Sequence, residues 1–150
     1  MKKIIVIFGL LMMLNVNLFA QTINVNGITS NVETKNIKGR TFVKLRDVAT
    51  ILGCDISYDK NTKTITVTKA DAGEKLKNVK ITYEIGNIDY EYRYSEVIER
   101  FDDKILGRGM DVAPQIIDGF TYLPIRYVAD PLGYDISMSQ NKKIILEKRA

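Results

Sequence analysis

The sequence contains no histidine and no tryptophan, and it has a single cysteine, Cys54. Without histidine, the commonest general base and metal ligand are missing, which excludes Ser-His-Asp and Cys-His catalysis and histidine-bound zinc or copper. The lack of tryptophan argues against a sugar-binding surface built on indole rings, although tyrosine could serve. One thiol cannot form an internal disulfide, and its apolar neighbours favour a buried cysteine over a reactive one. We expect no cofactor and no metal site.

The charge of the chain does not indicate a polyanion as its partner. The 22 basic and 18 acidic residues give a net charge of +4. Lys2 and Lys3 fall in a predicted signal peptide, and without them the chain has a net charge of about +2. No dense run of lysine and arginine is interleaved with aromatic residues, so we do not expect nucleic-acid binding.

The first 20 residues are typical of a secretory signal peptide. Lys2 and Lys3 precede an apolar, uncharged run at 4–14, and Ala20 suits the position before the cleavage site. The run is shorter than the roughly 20 residues that cross a membrane, although an uncleaved anchor is an alternative. No second apolar run follows. We predict a mature chain of residues 21–150 without a membrane span, secreted, periplasmic or otherwise in the cell envelope.

Two segments eighty positions apart, 39–57 and 119–137, resemble each other. Residues of the first segment that recur in the second include Thr41, Arg46, Val48, Ala49, Leu52, Gly53, Asp55, Ile56 and Ser57. Such periodicity is the signature of a repeated structural unit. We predict an α+β fold of two related halves, each made of antiparallel β-hairpins packed on a short α-helix. The halves span about 22–69 and 79–148, with an insertion at about 94–111.

Each predicted half has the same local elements. Apolar residues at i, i+3, i+4 and i+7 predict helices at about 45–52 and 125–132, and Pro131 should stop the second helix near Asp130. Gly53 and Gly133 suit a left-handed residue after a helix. Hairpins are expected at 23–28 around Asn26 and Gly27, at 55–68, at 80–94 and at 135–147.

The motif Gly-Arg-Thr-Phe-Val-x-Leu-Arg-x-Val-Ala-x-x-Leu-Gly at 39–53, with Ala-Pro-Gln-Ile-Ile-x-Gly-x-Thr-Tyr-Leu-Pro-Ile-Arg at 113–126, resembles a known family. This is the stalk domain family of exported bacterial proteins, first known as the N-terminal domain of copper amine oxidases. The resemblance covers roughly 22–148 and implies an antiparallel sheet folded around a helix. It does not imply oxidase activity, which in amine oxidases belongs to a separate domain with three copper-binding histidines. Lys44 departs from the pattern, which usually has proline there, as at Pro124.

Two arginines recur at the starts of the predicted helices and are candidates for binding a partner. Arg46 and Arg126 could form a ligand-facing pair. Alternatively, they could be structural and hold carbonyl groups or a carboxylate such as Asp55 or Asp135. We favour the structural interpretation, because the arginine recurs with the fold element itself.

Three tyrosines, Tyr90, Tyr92 and Tyr94, alternate along one predicted strand and should therefore face one side. They could form an aromatic platform for a protein partner or a glycan. Alternatively, they could be one half of a core face, with the charged residues between them facing water. We favour the core face.

The insertion carries acidic residues that raise the question of catalysis. Residues 95–106 could form a helix with Ser95 as its N-cap and an acidic face of Glu96, Glu99, Asp102 and Asp103. Paired carboxylates are what a glycosidase requires, but acidic helix faces are usually only solvated.

We expect a non-catalytic envelope interaction or stalk module that binds an envelope protein or a cell-wall component. The alternatives are a carboxylate-dependent wall hydrolase or accessory, centred on 96–111, and a self-associating spacer in a homo-oligomer.

Overall fold

The computed structural model describes residues 20–72, 77–95 and 106–150. Residues 1–19 of the predicted signal peptide lie outside these residues, and so do residues 96–105 of the helix predicted at 95–106. The two described ends of that helix, Ser95 and Leu106, are strand residues, so the prediction is wrong at both ends, where the chain pairs in a sheet instead. The described chain is mostly β-structure with two short helices. The strands are β1 (Ala20–Val25), β2 (Ile28–Ile37), β3 (Arg40–Lys44), β4 (Asp55–Asp59), β5 (Thr64–Lys69), β6 (Asn78–Glu84), β7 (Asp89–Ser95), β8 (Leu106–Gly109), β9 (Gln115–Ile117), β10 (Phe120–Pro124), β11 (Tyr134–Met138) and β12 (Ile144–Lys148), and the helices are α1 (Leu45–Leu52) and α2 (Arg126–Ala129).

The helix α1 forms as its apolar stripe predicts. All four stripe residues, Leu45, Val48, Ala49 and Leu52, are buried. The helix ends at Gly53, whose φ of 66° is the left-handed conformation expected after a helix. Helix α2 has only four residues and is shorter than the predicted 125–132, because the chain turns at Asp130, directly before the proline.

The four predicted hairpins are confirmed. The β1–β2 turn is at Asn26 and Gly27, with φ of 49° and 89°, as a two-residue turn with two left-handed positions requires. The other three hairpins are β4–β5, β6–β7 and β11–β12, all antiparallel.

Two sheets make up the described fold. The first has seven strands in the order β11-β12-β1-β2-β3-β10-β9, and the second has five in the order β4-β5-β6-β7-β8. Neighbouring strands are antiparallel except β1 and β12, which run parallel. Strands β3 and β10, which follow the same sequence motif, pair with each other at Val43 and Leu123.

The two predicted halves are interleaved rather than side by side. The hairpin after α1 lies in the five-stranded sheet, where β5 pairs with β6 of the other half. The hairpin after α2 lies in the seven-stranded sheet, where β12 pairs with β1. The buried apolar residues of both segments, such as Ile65 and Ile144, belong to one hydrophobic cluster. The division into two related halves itself stays a prediction.

A lysine caps the C-terminal end of each helical segment in the same way. Lys69 at the end of β5 donates a hydrogen bond from Nζ to the carbonyl oxygen of Leu52, at 2.5 Å. Lys148 at the end of β12 donates to the carbonyl oxygen of Leu132, at 2.7 Å. A cation at these carbonyls satisfies acceptors that the helical turn leaves without an intrahelical donor.

Candidate functional site

The three candidate tyrosines lie on β7 and share one face of the five-stranded sheet. That face is turned inward: Tyr90 and Tyr92 are only 3% and 4% exposed, and Tyr94 is partly buried. The Tyr90 ring stacks on Tyr83 at 5.7 Å between centroids and meets the edge of Tyr127 at 5.4 Å. Tyr90 and Tyr92 therefore pack in the core.

The same tyrosine face attaches the five-stranded sheet to α2 and the turn after it. The Tyr83 hydroxyl donates a hydrogen bond to the carbonyl oxygen of Tyr127, at 2.7 Å. The Tyr94 hydroxyl donates to the carbonyl oxygen of Pro131, at 3.3 Å. Burial raises the pKa of Tyr83 well above its usual value, so this hydroxyl stays a donor at any physiological pH.

The candidate arginines, in contrast, are on the surface. Arg46 is in the first turn of α1 and Arg126 begins α2, and both are exposed. Within residues 20–72, 77–95 and 106–150, neither guanidinium forms an ion pair or a side-chain hydrogen bond. The carboxylate of Asp135 instead accepts from Nε of Arg149, at 2.9 Å. The structure therefore does not use these arginines to hold Asp55 or Asp135.

Arg46 lines a shallow surface cleft of about 170 Å³, which we name the β4–β9 cleft. The cleft lies between β4, the terminal strand of the five-stranded sheet, and the β9–β10 hairpin at the end of the seven-stranded sheet. Its lining residues are Lys44, Leu45, Arg46, Ile56, Tyr58, Ile65, Ile116, Gly119, Phe120 and Thr121.

The walls of the β4–β9 cleft are large apolar side chains that remain open to water. Ile56 and Tyr58 of β4 are 38% and 43% exposed, and Ile116 and Phe120 across the cleft are 47% and 41% exposed. Isolated exposed apolar residues are ordinary, but four gathered around one concavity make this surface the candidate interaction site.

The charge of the β4–β9 cleft is positive. Its described lining includes Lys44 and Arg46 and no carboxylate. Lys44 is held in place: its Nζ lies 3.5 Å from the Phe120 ring centroid and 3.4 Å from Oε2 of Glu33. The Tyr122 hydroxyl donates to the other carboxylate oxygen of Glu33. This contact is the main reason that the pKa of Glu33 is lowered, so the carboxylate stays ionised beneath Lys44.

Three residues of the cleft are replaced by different residue types at the positions that correspond to them, eighty residues away in the repeat. Pro124, Met138 and Arg40 occupy the positions that correspond to Lys44, Tyr58 and Phe120. Arg40 forms an ion pair with Asp111, which holds the pKa of that carboxyl below its usual value. The cleft is thus not an obligatory product of the repeated fold element.

Three other candidate chemistries, metal binding, a reactive thiol and carboxylate catalysis, can be compared with the described residues. No cluster of three or more cysteine, aspartate or glutamate side chains suitable for holding a metal ion occurs in the described parts of the chain. Cys54 is partly buried, and burial raises the pKa of its thiol to about 11. Of the acidic insertion, Asp111 is described and pairs with Arg40, whereas Glu96, Glu99, Asp102 and Asp103 lie outside the described residues.

Sequence reasoning identified Arg46 but missed the apolar walls beside it. Ile56 and Tyr58 belong to a predicted hairpin, Phe120 to the repeated segment 119–137 and Ile116 to the family motif at 113–126, and none of these patterns predicts a site. One signal was visible: Lys44 replaces the proline that the pattern usually has. The exchanges Tyr58 for Met138 and Phe120 for Arg40 between the halves point to the same place.

Comparison with known proteins identifies the type of domain. A family model described as the copper amine oxidase N-terminal domain matches residues 22–147. This domain type is non-catalytic and typically extracellular. No curated protein and no solved structure matches the chain. In the described part of the chain, neither helix has the length and apolar character needed to span a bilayer.

Proposed function

The chain belongs to the copper amine oxidase N-terminal domain family, and we propose that it is an exported, non-catalytic module that binds another component of the cell envelope. The partner is an envelope protein or a cell-wall component. Export rests on the signal-like residues 1–20, and the lack of histidine together with the non-catalytic domain type supports a binding role.

The observation that carries the proposal is the β4–β9 cleft. Ile56, Tyr58, Ile116 and Phe120 keep between 38% and 47% of their surface exposed around one concavity. Leaving apolar surface in water costs roughly 25 cal/mol per Å², a cost that a bound partner removes. Arg46 at the rim adds a charged donor of the kind that is enriched in protein interfaces.

An affinity capture tests the proposal. Residues 21–150 are immobilised and exposed separately to solubilised envelope and to purified cell-wall fragments of the source cell, and retained material is identified by mass spectrometry. We expect one component to be retained and to be displaced by free 21–150. An unrelated secreted domain on the same support is the control. A bait with a native circular dichroism spectrum that retains nothing above this control contradicts the proposal.

Export is tested independently of binding. N-terminal sequencing of the protein recovered from the envelope or culture fluid should begin at Gln21, because Ala20 precedes the predicted cleavage site. Recovery of the protein with Met1 intact in the cytoplasmic fraction would contradict export.

A further inference from the structure

We infer that the β4–β9 cleft binds an extended segment of a partner protein, which adds as a strand to the free edge of β4. Its cleft-facing positions carry an apolar side chain and a carboxylate, the latter against Arg46. This inference rests on the proposed binding function and names the partner's chemistry and its mode of binding.

The edge of β4 is available for main-chain pairing. β4 is the terminal strand of the five-stranded sheet, and within the described residues it pairs only with β5. All five of its residues, Asp55–Asp59, are exposed. A strand edge of this kind presents a row of backbone donors and acceptors, which an extended peptide can satisfy.

The register of β4 directs an added strand toward the cleft. Ile56 and Tyr58 lie opposite Val67 and Ile65 of β5, and both of these partners are buried. Residues opposite each other in paired strands share one face of the sheet. Alternate side chains of a strand added to β4 therefore point into the cleft beside Ile56 and Tyr58, and the others point to solvent.

The size and charge of the cleft indicate which side chains of the added strand it can accept. Its volume of about 170 Å³ is below the roughly 300–1,000 Å³ of small-molecule sites, so it suits individual side chains better than a cofactor or a sugar chain. Lys44 and Arg46 are cationic, and no carboxylate lines the described cleft. Lys44 is engaged by Glu33, whereas Arg46 is exposed and available for a bidentate contact with a carboxylate.

The chain supplies its own matched controls. Arg126 occupies the corresponding exposed position at the start of α2, where the cleft-forming residues are absent. Arg126→Glu therefore makes the same change in charge on the same fold element, away from the cleft. Met138→Thr is the corresponding control for Tyr58→Thr, because Met138 is also exposed on an edge strand.

The probe is a phage-displayed library of random eight-residue peptides, panned against immobilised residues 21–150. The consensus peptide is then synthesised, and its affinity is measured by fluorescence anisotropy. We expect a consensus with an apolar and an acidic residue two positions apart, because both must face the cleft. Arg46→Glu should weaken binding at least about tenfold, the loss expected for one charge-assisted hydrogen bond, and Tyr58→Thr should also weaken it. The two control variants should bind within about twofold of the wild type.

Strand addition has its own readout. A peptide of the same sequence, N-methylated at the residues that would pair with β4, should bind at least about tenfold more weakly, because its backbone donors are removed. Four results would each overturn the inference. The first two are failure to enrich any peptide and a consensus without acidic positions. The others are equal binding to Arg46→Glu and Arg126→Glu, and equal binding of the methylated and unmethylated peptides.

Three further outcomes separate this inference from its alternatives. If sedimentation velocity shows a wild-type dimer that Arg46→Glu abolishes, the occupant is a second copy of this chain and the inference fails. If wild type and Arg46→Glu capture the same envelope component equally, the proposed binding function stands but the β4–β9 cleft is not its site. If folded wild type captures nothing, the proposed function fails.

Discussion

The buried hydroxyl of Tyr122 offers a quantitative test of how Glu33, the carboxylate that holds Lys44 of the β4–β9 cleft, is itself held. Tyr122 is 1% exposed and donates a hydrogen bond to Glu33 on β2, whose side chain is 34% exposed. Glu33 also lies 3.4 Å from Nζ of Lys44 and 3.8 Å from Nζ of Lys35. The substitution Tyr122→Phe removes the hydroxyl and keeps the ring, so the packing around it should be preserved.

The expected cost follows from the charge of the acceptor. Hydrogen bonds to charged groups contribute about 1.5–3 kcal/mol to stability. Because Glu33 is one-third exposed and keeps both lysines, water can partly replace the lost donor. We therefore expect the lower end of this range: Tyr122→Phe should reduce the free energy of unfolding by about 1.5 kcal/mol at pH 7.

The loss of stability caused by Tyr122→Phe should depend on pH in a defined direction. The Tyr122 hydroxyl is the largest influence that lowers the pKa of Glu33 from 4.5 in the folded protein. The ionised carboxylate therefore stabilises the fold above its unfolded-state pKa, and this contribution is lost as pH falls through the lower folded-state pKa. Tyr122→Phe moves the folded-state pKa back up, so the variant loses less stability in acid. The gap between the two proteins should narrow below about pH 4.

Urea unfolding at pH 7 and pH 3, followed by far-UV circular dichroism, measures both effects. Tyr134→Phe is the control, because Tyr134 is 7% exposed and its hydroxyl has no hydrogen-bond partner among the described residues. The control should change the free energy of unfolding by less than about 0.5 kcal/mol. Equal losses in both variants, or a Tyr122→Phe loss that is the same at both pH values, would refute the reasoning.

Three further predictions concern the fold. Gly53→Ala places a side chain on a residue with φ of 66°, so thermal unfolding should show a loss of roughly 1–2 kcal/mol, and an unchanged melting temperature would contradict this. Burial raises the pKa of the Cys54 thiol to about 11 from 9.0. At pH 8, iodoacetamide should therefore alkylate Cys54 about 100-fold more slowly in the folded protein than in the urea-unfolded chain. Equal alkylation rates would exclude burial of the thiol. We expect the two halves of the chain, 20–72 and 73–150, to lack the native circular dichroism spectrum when made separately and to regain it on mixing. The reason is that β5 pairs with β6 and β1 pairs with β12, so each half needs strands of the other. A single half that folds natively would contradict the interleaved topology.

Local elements could be predicted from the sequence because interactions between residues close in the chain determine them. The stripe of Leu45, Val48, Ala49 and Leu52 matches the helical period, and α1 has the predicted bounds. Gly53 ends the helix, and Asn26 and Gly27 form the first hairpin turn, because few other residues adopt positive φ at low cost. The family was also recognisable from its motifs, and the match over residues 22–147 confirms it.

The candidate site was only partly predictable. Arg46, singled out because it recurs at the helix start, is exposed, whereas Tyr90 and Tyr92, singled out because they alternate along a strand, are buried. The period of a strand shows which residues share a face. Whether that face meets water depends on what packs on it, here α2 and the turn that follows it, and no local pattern contains that information.

The sequence by itself therefore determined α1, the four hairpins and the family, since turns, stripes and alternation act over a few residues. Only the tertiary structure decided that β12 runs parallel to β1, that hairpins of the two predicted halves exchange sheets, and that Arg46 and Phe120 line one cleft. The pairing of β1 with β12 and the meeting of Arg46 with Phe120 join residues more than seventy positions apart, whereas β5 and β6 are neighbours along the chain. These pairings are selected because together they bury one shared hydrophobic core, a property of the whole chain that no single segment encodes.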